Sequence, residues 1–174
     1  MTKKTRLVDC LVLAIFGPLL LLGDLLMEAF PNIHLVGVLL VVVTAVYRTG
    51  ALIPLYIYVF LNGLYAGFAL WWMPYVYVWL PLWGLVMLVP RRLPAPWRMG
   101  LYVAACAAHG YLFSVFYVPG QAVLFGLDWQ GMLTWMAAGL PFDALHGTGN
   151  LVLGTVLIYP LTTLLHRLKK SVSR

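Results

Sequence analysis

The sequence predicts an all-α, polytopic membrane protein of six transmembrane helices, and three observations predict it. The chain is too apolar for water: of its 174 residues 63% are hydrophobic and 9% charged, with a mean hydropathy of +0.94. A soluble domain is roughly half apolar and a quarter charged, and a chain this short cannot enclose so much apolar surface in one core. The apolar residues also fall into stretches divided by turn-forming residues, and the basic residues flank alternate stretches only.

A crossing helix needs roughly 20 mainly apolar residues, and the stretches follow in order along one integral-membrane domain, residues 1–174. The first is Val8–Met27. Lys3, Lys4 and Arg6 ahead of it imitate a secretory signal, but no small-residue cleavage site precedes Asp24 and Glu28, so an uncleaved helix is expected. Pro31-Asn32 separates it from Ile33–Tyr47, and Arg48-Thr49-Gly50 separates that from Ala51–Leu70. Trp72-Met73-Pro74 precedes Tyr75–Val89, and the proline-rich turn from Pro90 to Pro96 precedes Met99–Val118. The segment from Pro119 to Pro141, with Asp128, Trp129 and Gln130, is expected to be a loop carrying a short interfacial helix. Phe142–Leu165 is the last crossing.

With the amino terminus inside, all eleven Lys and Arg residues fall on cytoplasmic segments: the two tails and the loops holding Arg48 and Arg91, Arg92 and Arg98. Loops on the other side carry none, while Asp24, Glu28, Asp128 and Asp143 lie near the outer surface. The positive-inside rule therefore predicts two cytoplasmic termini and an even number of crossings. The net charge of +6 belongs to these short membrane-flanking clusters, which do not make a nucleic-acid-binding face. Cys10 and Cys106 lie in apolar stretches without a CxxC pattern, and His34 and His166 sit at opposite ends, so no metal site is expected. No nucleophile–base pair, phosphate loop or paired carboxylates appear. Neither enzymatic activity nor a cofactor is expected.

Some polar groups inside the crossings need a reason. Asp143, His146 and Asn150 are spaced i, i+3, i+7 and project from one face of the last helix, beside Gly147 and Gly149. They either face a ligand or hold helices together, with Asp143 capping the helix and pairing His146. Tyr58, Asn62 and Tyr65 share a face of the third helix, and Asn62 in hydrocarbon needs hydrogen-bond partners. Trp79 and Trp83 lie deep in the fourth, where a binding wall and plain packing are both open, whereas Trp71, Trp72 and Tyr75 read as an interfacial belt. His109 is mid-span in the fifth, as a helix–helix hydrogen bonder or a ligand contact. Together these residues outline an outward-facing aromatic pocket suited to a flat, polar heteroaromatic molecule.

Phe30-Pro31-Asn32-Ile33, Ala51-Leu52-Ile53-Pro54, Gly67-Phe68-Ala69-Leu70-Trp71-Trp72, Tyr75-Val76-Tyr77-Val78-Trp79 and Pro141-Phe142-Asp143…His146…Gly149-Asn150 resemble the S components of energy-coupling-factor (ECF) transporters. The resemblance runs from about Leu26 to the basic tail, and its most specific piece is the last. It implies an S-component-like bundle of six helices in a prokaryotic cell membrane, capturing a vitamin-like small molecule from outside. It also implies partners: a transmembrane coupling subunit and two cytoplasmic ATPases, toward which the S component topples with its ligand. The family often docks through small residues four apart in the first helix; Cys10, Ala14 and Gly17 are the counterpart here. Where relatives often have an acid, this chain has Asn62. The other reading is a stand-alone, tryptophan-rich sensory or ligand-binding membrane protein of five spans, which basic clusters at both tails disfavour.

Overall fold

The computed structural model describes residues 3–30 and 32–172, with side chains from Leu7 to Ser171. Pro31, Arg174 and the side chains of Lys3, Lys4 and Arg6, on which parts of the topology reading fall, lie outside the described residues. No strand occurs among the described residues. The helices are α1 (Lys3–Leu25), α2 (Val36–Tyr47), α3 (Leu52–Ala66), α4 (Tyr75–Val78), α5 (Leu80–Leu88), α6 (Ala95–Tyr111), α7 (Phe113–Phe125) and α8 (Trp129–Val172). Leu7–Leu25, Val36–Ala66, Leu70–Leu88 and Trp129–Ser171 are each long and apolar enough to cross a membrane; α6 and α7, bent by 42°, make a fifth if taken together.

The centre of the bundle is α2. It is apolar on every side, and such a helix is stable only when enclosed. Val36, Val38, Leu40, Val41 and Val43 are fully buried, enclosed by α1, α5, α6 and α8. Helix α2 runs against α1, since Leu39 packs at Gly23 while Val42 shares a crevice with Phe16. Helix α3 runs alongside α1. Leu13 meets Gly50, Pro54 and Ile57 meet Gly17, and Tyr58 and Asn62 reach Asp24.

The chain therefore reverses within Val36–Ala66, at the 3₁₀ turn Arg48–Ala51. Arg48 takes φ 56°, which is unfavourable for a residue with a Cβ. Its surroundings hold it there: the guanidinium donates to the carbonyls of Val86 (3.2 Å) and Met87 at the end of α5. Both belong to the last turn of that helix, where carbonyls lack the usual i+4 donor; that of Val86 also accepts from the Val89 N–H at 3.3 Å. In return the Trp83 indole N–H donates to the Arg48 carbonyl at 3.3 Å.

From Tyr75 to Leu88 the chain returns to the Arg48 end. Helices α6 and α7 then run back, with Arg98 beside His166, His109 at Val78 and Gly120 at Pro74. Helix α8 lines this whole length in the opposite sense: Trp135 at Tyr117, Gly139 at Ser114, Gly147 at Gly110, Asn150 at Cys106. At the crossing, a Cβ on Gly110 would lie 2.7 Å from Gly147 backbone atoms, so the two backbones touch. Lys169, near the end of α8, lies 4.0 Å from the Tyr47 ring centroid, at the Arg48 end of α2. The described Lys and Arg side chains thus share one end of the bundle, while Asp24, Glu28, Asp128 and Asp143 stand toward the other.

Two expectations are corrected. The segment 119–141 is helical, with a break only between Phe125 and Trp129, and the last helix begins at Trp129, well ahead of Pro141. Proline removes one N–H, a loss that membrane helices tolerate where neighbours re-satisfy the backbone. At Pro119 the neighbour is Tyr77: its hydroxyl accepts from the Gly120 N–H at 2.8 Å and donates to the Tyr117 carbonyl at 3.3 Å. The fourth stretch, expected to be continuous, divides at Trp79.

Candidate ligand-binding cleft

At the acidic end, α1 delivers Asp24, and α3 delivers Tyr58 and Asn62 one turn apart to meet it. The Tyr58 hydroxyl donates to Asp24 Oδ2 at 2.9 Å and Asn62 Nδ2 donates to the same oxygen at 3.2 Å. A carboxylate in an apolar bundle needs such donors. The turn after α1 then places Asn32 (φ 57°, a conformation asparagine tolerates) and His34 over this cluster.

Beside it lies a cavity of about 230 Å³ lined by Asp24, Glu28, Asn32, His34, Tyr75 and His146, among others. A second, of about 310 Å³, is lined by Trp71, Ser114, Tyr117, Trp135, Phe142 and Asp143. Asn32, Tyr75, Phe113 and His146 border both, so the two are lobes of one cleft. Its volume falls within the range of small-molecule sites, roughly 300–1,000 Å³.

The cleft wall is a continuous set of rings. Tyr117 stacks on Trp135 (centroids 5.5 Å apart, 3° between planes) and on Phe113 (5.7 Å). Phe113 in turn meets His146 at 5.0 Å. Behind the surface, His34 lies 4.6 Å from His146 and 5.7 Å from Trp79, which stacks on His109 at 5.4 Å. Three histidines that are far apart in sequence thus gather around one tryptophan. His34 Nδ1, His146 Nε2, His109 Nδ1 and Trp79 Nε1 have no hydrogen-bond partner among the described residues. Buried polar atoms left unpaired are unfavourable, and each asks for an explanation. Among the described residues no group of three or more His, Cys, Asp or Glu is arranged to hold a metal ion.

The residues singled out from the sequence divide by position. His146 and Asp143 line the cleft. Asp143 is already engaged, accepting from the Ser114 N–H (3.1 and 3.2 Å) and hydroxyl (2.9 Å) at the start of α7. Its charge sits where a helix N-terminus favours an anion; it does not pair with His146. Asn150 is buried on α8, donating to the Cys106 carbonyl at 3.1 Å and packed on Gly37. Asn62 reaches the cleft only through Asp24. Trp79 and His109 form the layer behind it, with His109 Nε2 at 2.9 Å from the Val78 carbonyl.

Trp83 is at the other end, on Arg48, and Tyr65 is 59% exposed and lines neither lobe. The face expected to be shared by Tyr58, Asn62 and Tyr65 holds for the first two alone. In α1, Cys10 and Ala14 are exposed while Gly17 is buried against Ile57, so Gly17 serves internal packing.

Sequence reasoning missed Asp24, Asn32, His34, Trp135 and Phe142, and it placed Tyr75 in a belt. A signal existed for two of them: Trp135, Phe142 and His146 share a helical face (i, i+7, i+11), visible once Pro141 is not taken as a helix start. Compared with known proteins, the chain matches no family model, no curated protein and no solved structure.

Proposed function

We propose that this protein is the substrate-capturing S component of an ECF-type importer, binding a flat, polar, heteroaromatic micronutrient in the cleft at its acidic end. The observation that carries this reading is the two-lobed cleft, walled by Tyr75, Phe113, Tyr117 and Trp135 and bordered by the side chains of His34 and His146. Aromatic faces supply contact area for a planar ring, and a few fixed polar atoms set its orientation.

Several features support the membrane setting of this reading. Helices α1, α2, α3, α4–α5, α6–α7 and α8 alternate in direction, which suits six crossings with both tails on one side. The described Lys and Arg side chains gather at that side, which the positive-inside rule assigns to the cytoplasm. The cleft then opens outward. The exposed small residues Cys10 and Ala14 on α1 suit close approach by a coupling subunit. ATP hydrolysis belongs to its partners in this reading, and the protein alone is expected to hydrolyse none.

The test is purification in mild detergent from cells grown on rich medium, followed by mass spectrometry of the released small molecules. A heteroaromatic compound retained by the wild type and lost from Tyr75→Ala and His146→Ala supports the cleft; equal retention by both variants rejects it. Co-expression with a coupling subunit and two ATPases distinguishes the importer from the stand-alone binding protein that a count of five long apolar helices favours. Recovery of the assembled complex, weakened by Ala14→Leu, is the expected result for an importer.

A further inference from the structure

At the basic end, far from the cleft, a cavity of about 170 Å³ opens between the start of α6 and the end of α8. Arg91, Arg98, Tyr102, Thr162 and His166 line it. The charged groups bearing on His166 are Arg98, Lys169, Arg91 and Lys170, all cationic. Basic pockets between transmembrane helices are the usual receptors for anionic headgroups.

Two further observations make this more than a positive surface. Thr162 is 2% exposed, and its hydroxyl has no hydrogen-bond partner among the described residues although Thr162 belongs to the cavity wall. Meanwhile Arg98 Nη1 donates to the carbonyls of Arg91 (2.7 Å) and Leu93 (3.4 Å), pinning the turn that carries Arg91. A guanidinium has five N–H donors, and these bonds use one nitrogen only. The Arg98 guanidinium is thereby held in advance, and the turn that carries Arg91 is fixed beside it, at a cavity too small for a typical small-molecule ligand.

We propose that this cavity binds a phosphate group, with Arg91 and Arg98 as charged donors, His166 as a third contact and the Thr162 hydroxyl as the neutral donor at its base. Planar guanidinium forks suit phosphate oxygens. The phosphate comes either from an anionic phospholipid of the adjoining leaflet or from solution, and the two sources separate by experiment.

The experiment is thermal unfolding of the full chain in dodecyl maltoside with added phosphatidylglycerol, phosphate-free diacylglycerol or inorganic phosphate. Phosphatidylglycerol should raise the melting temperature by roughly 2–5 °C while diacylglycerol does not. An equal rise with inorganic phosphate identifies a soluble source; a rise with the lipid alone identifies the headgroup. Arg91→Gln, an exposed position that leaves the core untouched, should weaken the midpoint of the effect by about tenfold. Thr162→Val should weaken it severalfold without moving the unliganded melting temperature downward. Arg92→Gln, on the same turn but outside the cavity, should leave it unchanged. The site is overturned if neither phosphate source stabilises more than diacylglycerol, or if Arg92→Gln matches Arg91→Gln.

Discussion

Asp143 on α8 holds the first turn of α7 through Ser114, accepting from both its backbone N–H and its hydroxyl. Because Phe113 and Tyr117 flank Ser114, this one carboxylate sets the position of the rings that wall the cleft. It works as a cap supplied by a neighbouring helix, and a buried N–H left without such a partner is costly.

Asp143→Ala should therefore destabilise the protein by about 1–3 kcal/mol, the penalty of a buried donor left unpaired. Ser114→Ala keeps the backbone bond and should lose less. Thermal unfolding in detergent checks the order; a Ser114→Ala effect as large as that of Asp143→Ala would place the main bond at the hydroxyl.

His146 and Asn150 share a helix face, yet their surroundings differ. Asn150 is spent on the Cys106 carbonyl, whereas His146 borders both lobes. His146→Ala should cut retention of a co-purifying small molecule by about tenfold or more in the folded protein, besides the stability its buried ring contributes. Asn150→Ala should lower stability and leave retention by the folded protein unchanged. Mass spectrometry and melting temperature on the same preparations separate the two effects.

Much of this arrangement was legible in the sequence. The apolar stretches, the one-sided basic residues and the shared face of Asp143, His146 and Asn150 follow from periodicity and charge alone. What was not legible depends on which groups meet across helices. Nothing local tells that Asn150 finds Cys106, that Trp83 finds Arg48, or that His34 folds over His146. The reading of 119–141 as a loop failed for a related reason: prolines were taken as helix ends, but α7 runs through Pro119, where Tyr77, distant in sequence, bonds the backbone on either side of the proline.

Arg48 offers a test of backbone strain against side-chain bonding. Arg48→Ala retains the unfavourable positive φ and loses the bonds to Val86 and Met87; Arg48→Gly loses the same bonds but relieves the strain. Both variants should be less stable than the wild type, with glycine above alanine by about 1 kcal/mol. Equal stability of the two would mean that the turn relaxes out of its positive φ once the guanidinium is gone.

The contact between Gly110 and Gly147 leaves no space for a methyl group, whereas a Cβ on Gly100, in the same helix as Gly110, meets nothing within 4 Å. Gly110→Ala should cost about 1–3 kcal/mol by forcing backbones apart. Gly100→Ala should be neutral or stabilising by up to ~1 kcal/mol, through helix propensity. Comparing their melting temperatures isolates close packing from propensity.

The shortness of α2 has a consequence for the depth of the molecule. Its 12 residues, at about 1.5 Å each, span only about 18 Å, while the hydrocarbon layer around the bundle is ~30 Å thick. Enclosed by its neighbours, α2 never has to match the lipid. In the membrane setting proposed above, at least one of its two ends, His34 or Arg48, then lies below the level of the surrounding headgroups, so the distance from one end of α2 to the other is shorter than the lipid alongside is thick.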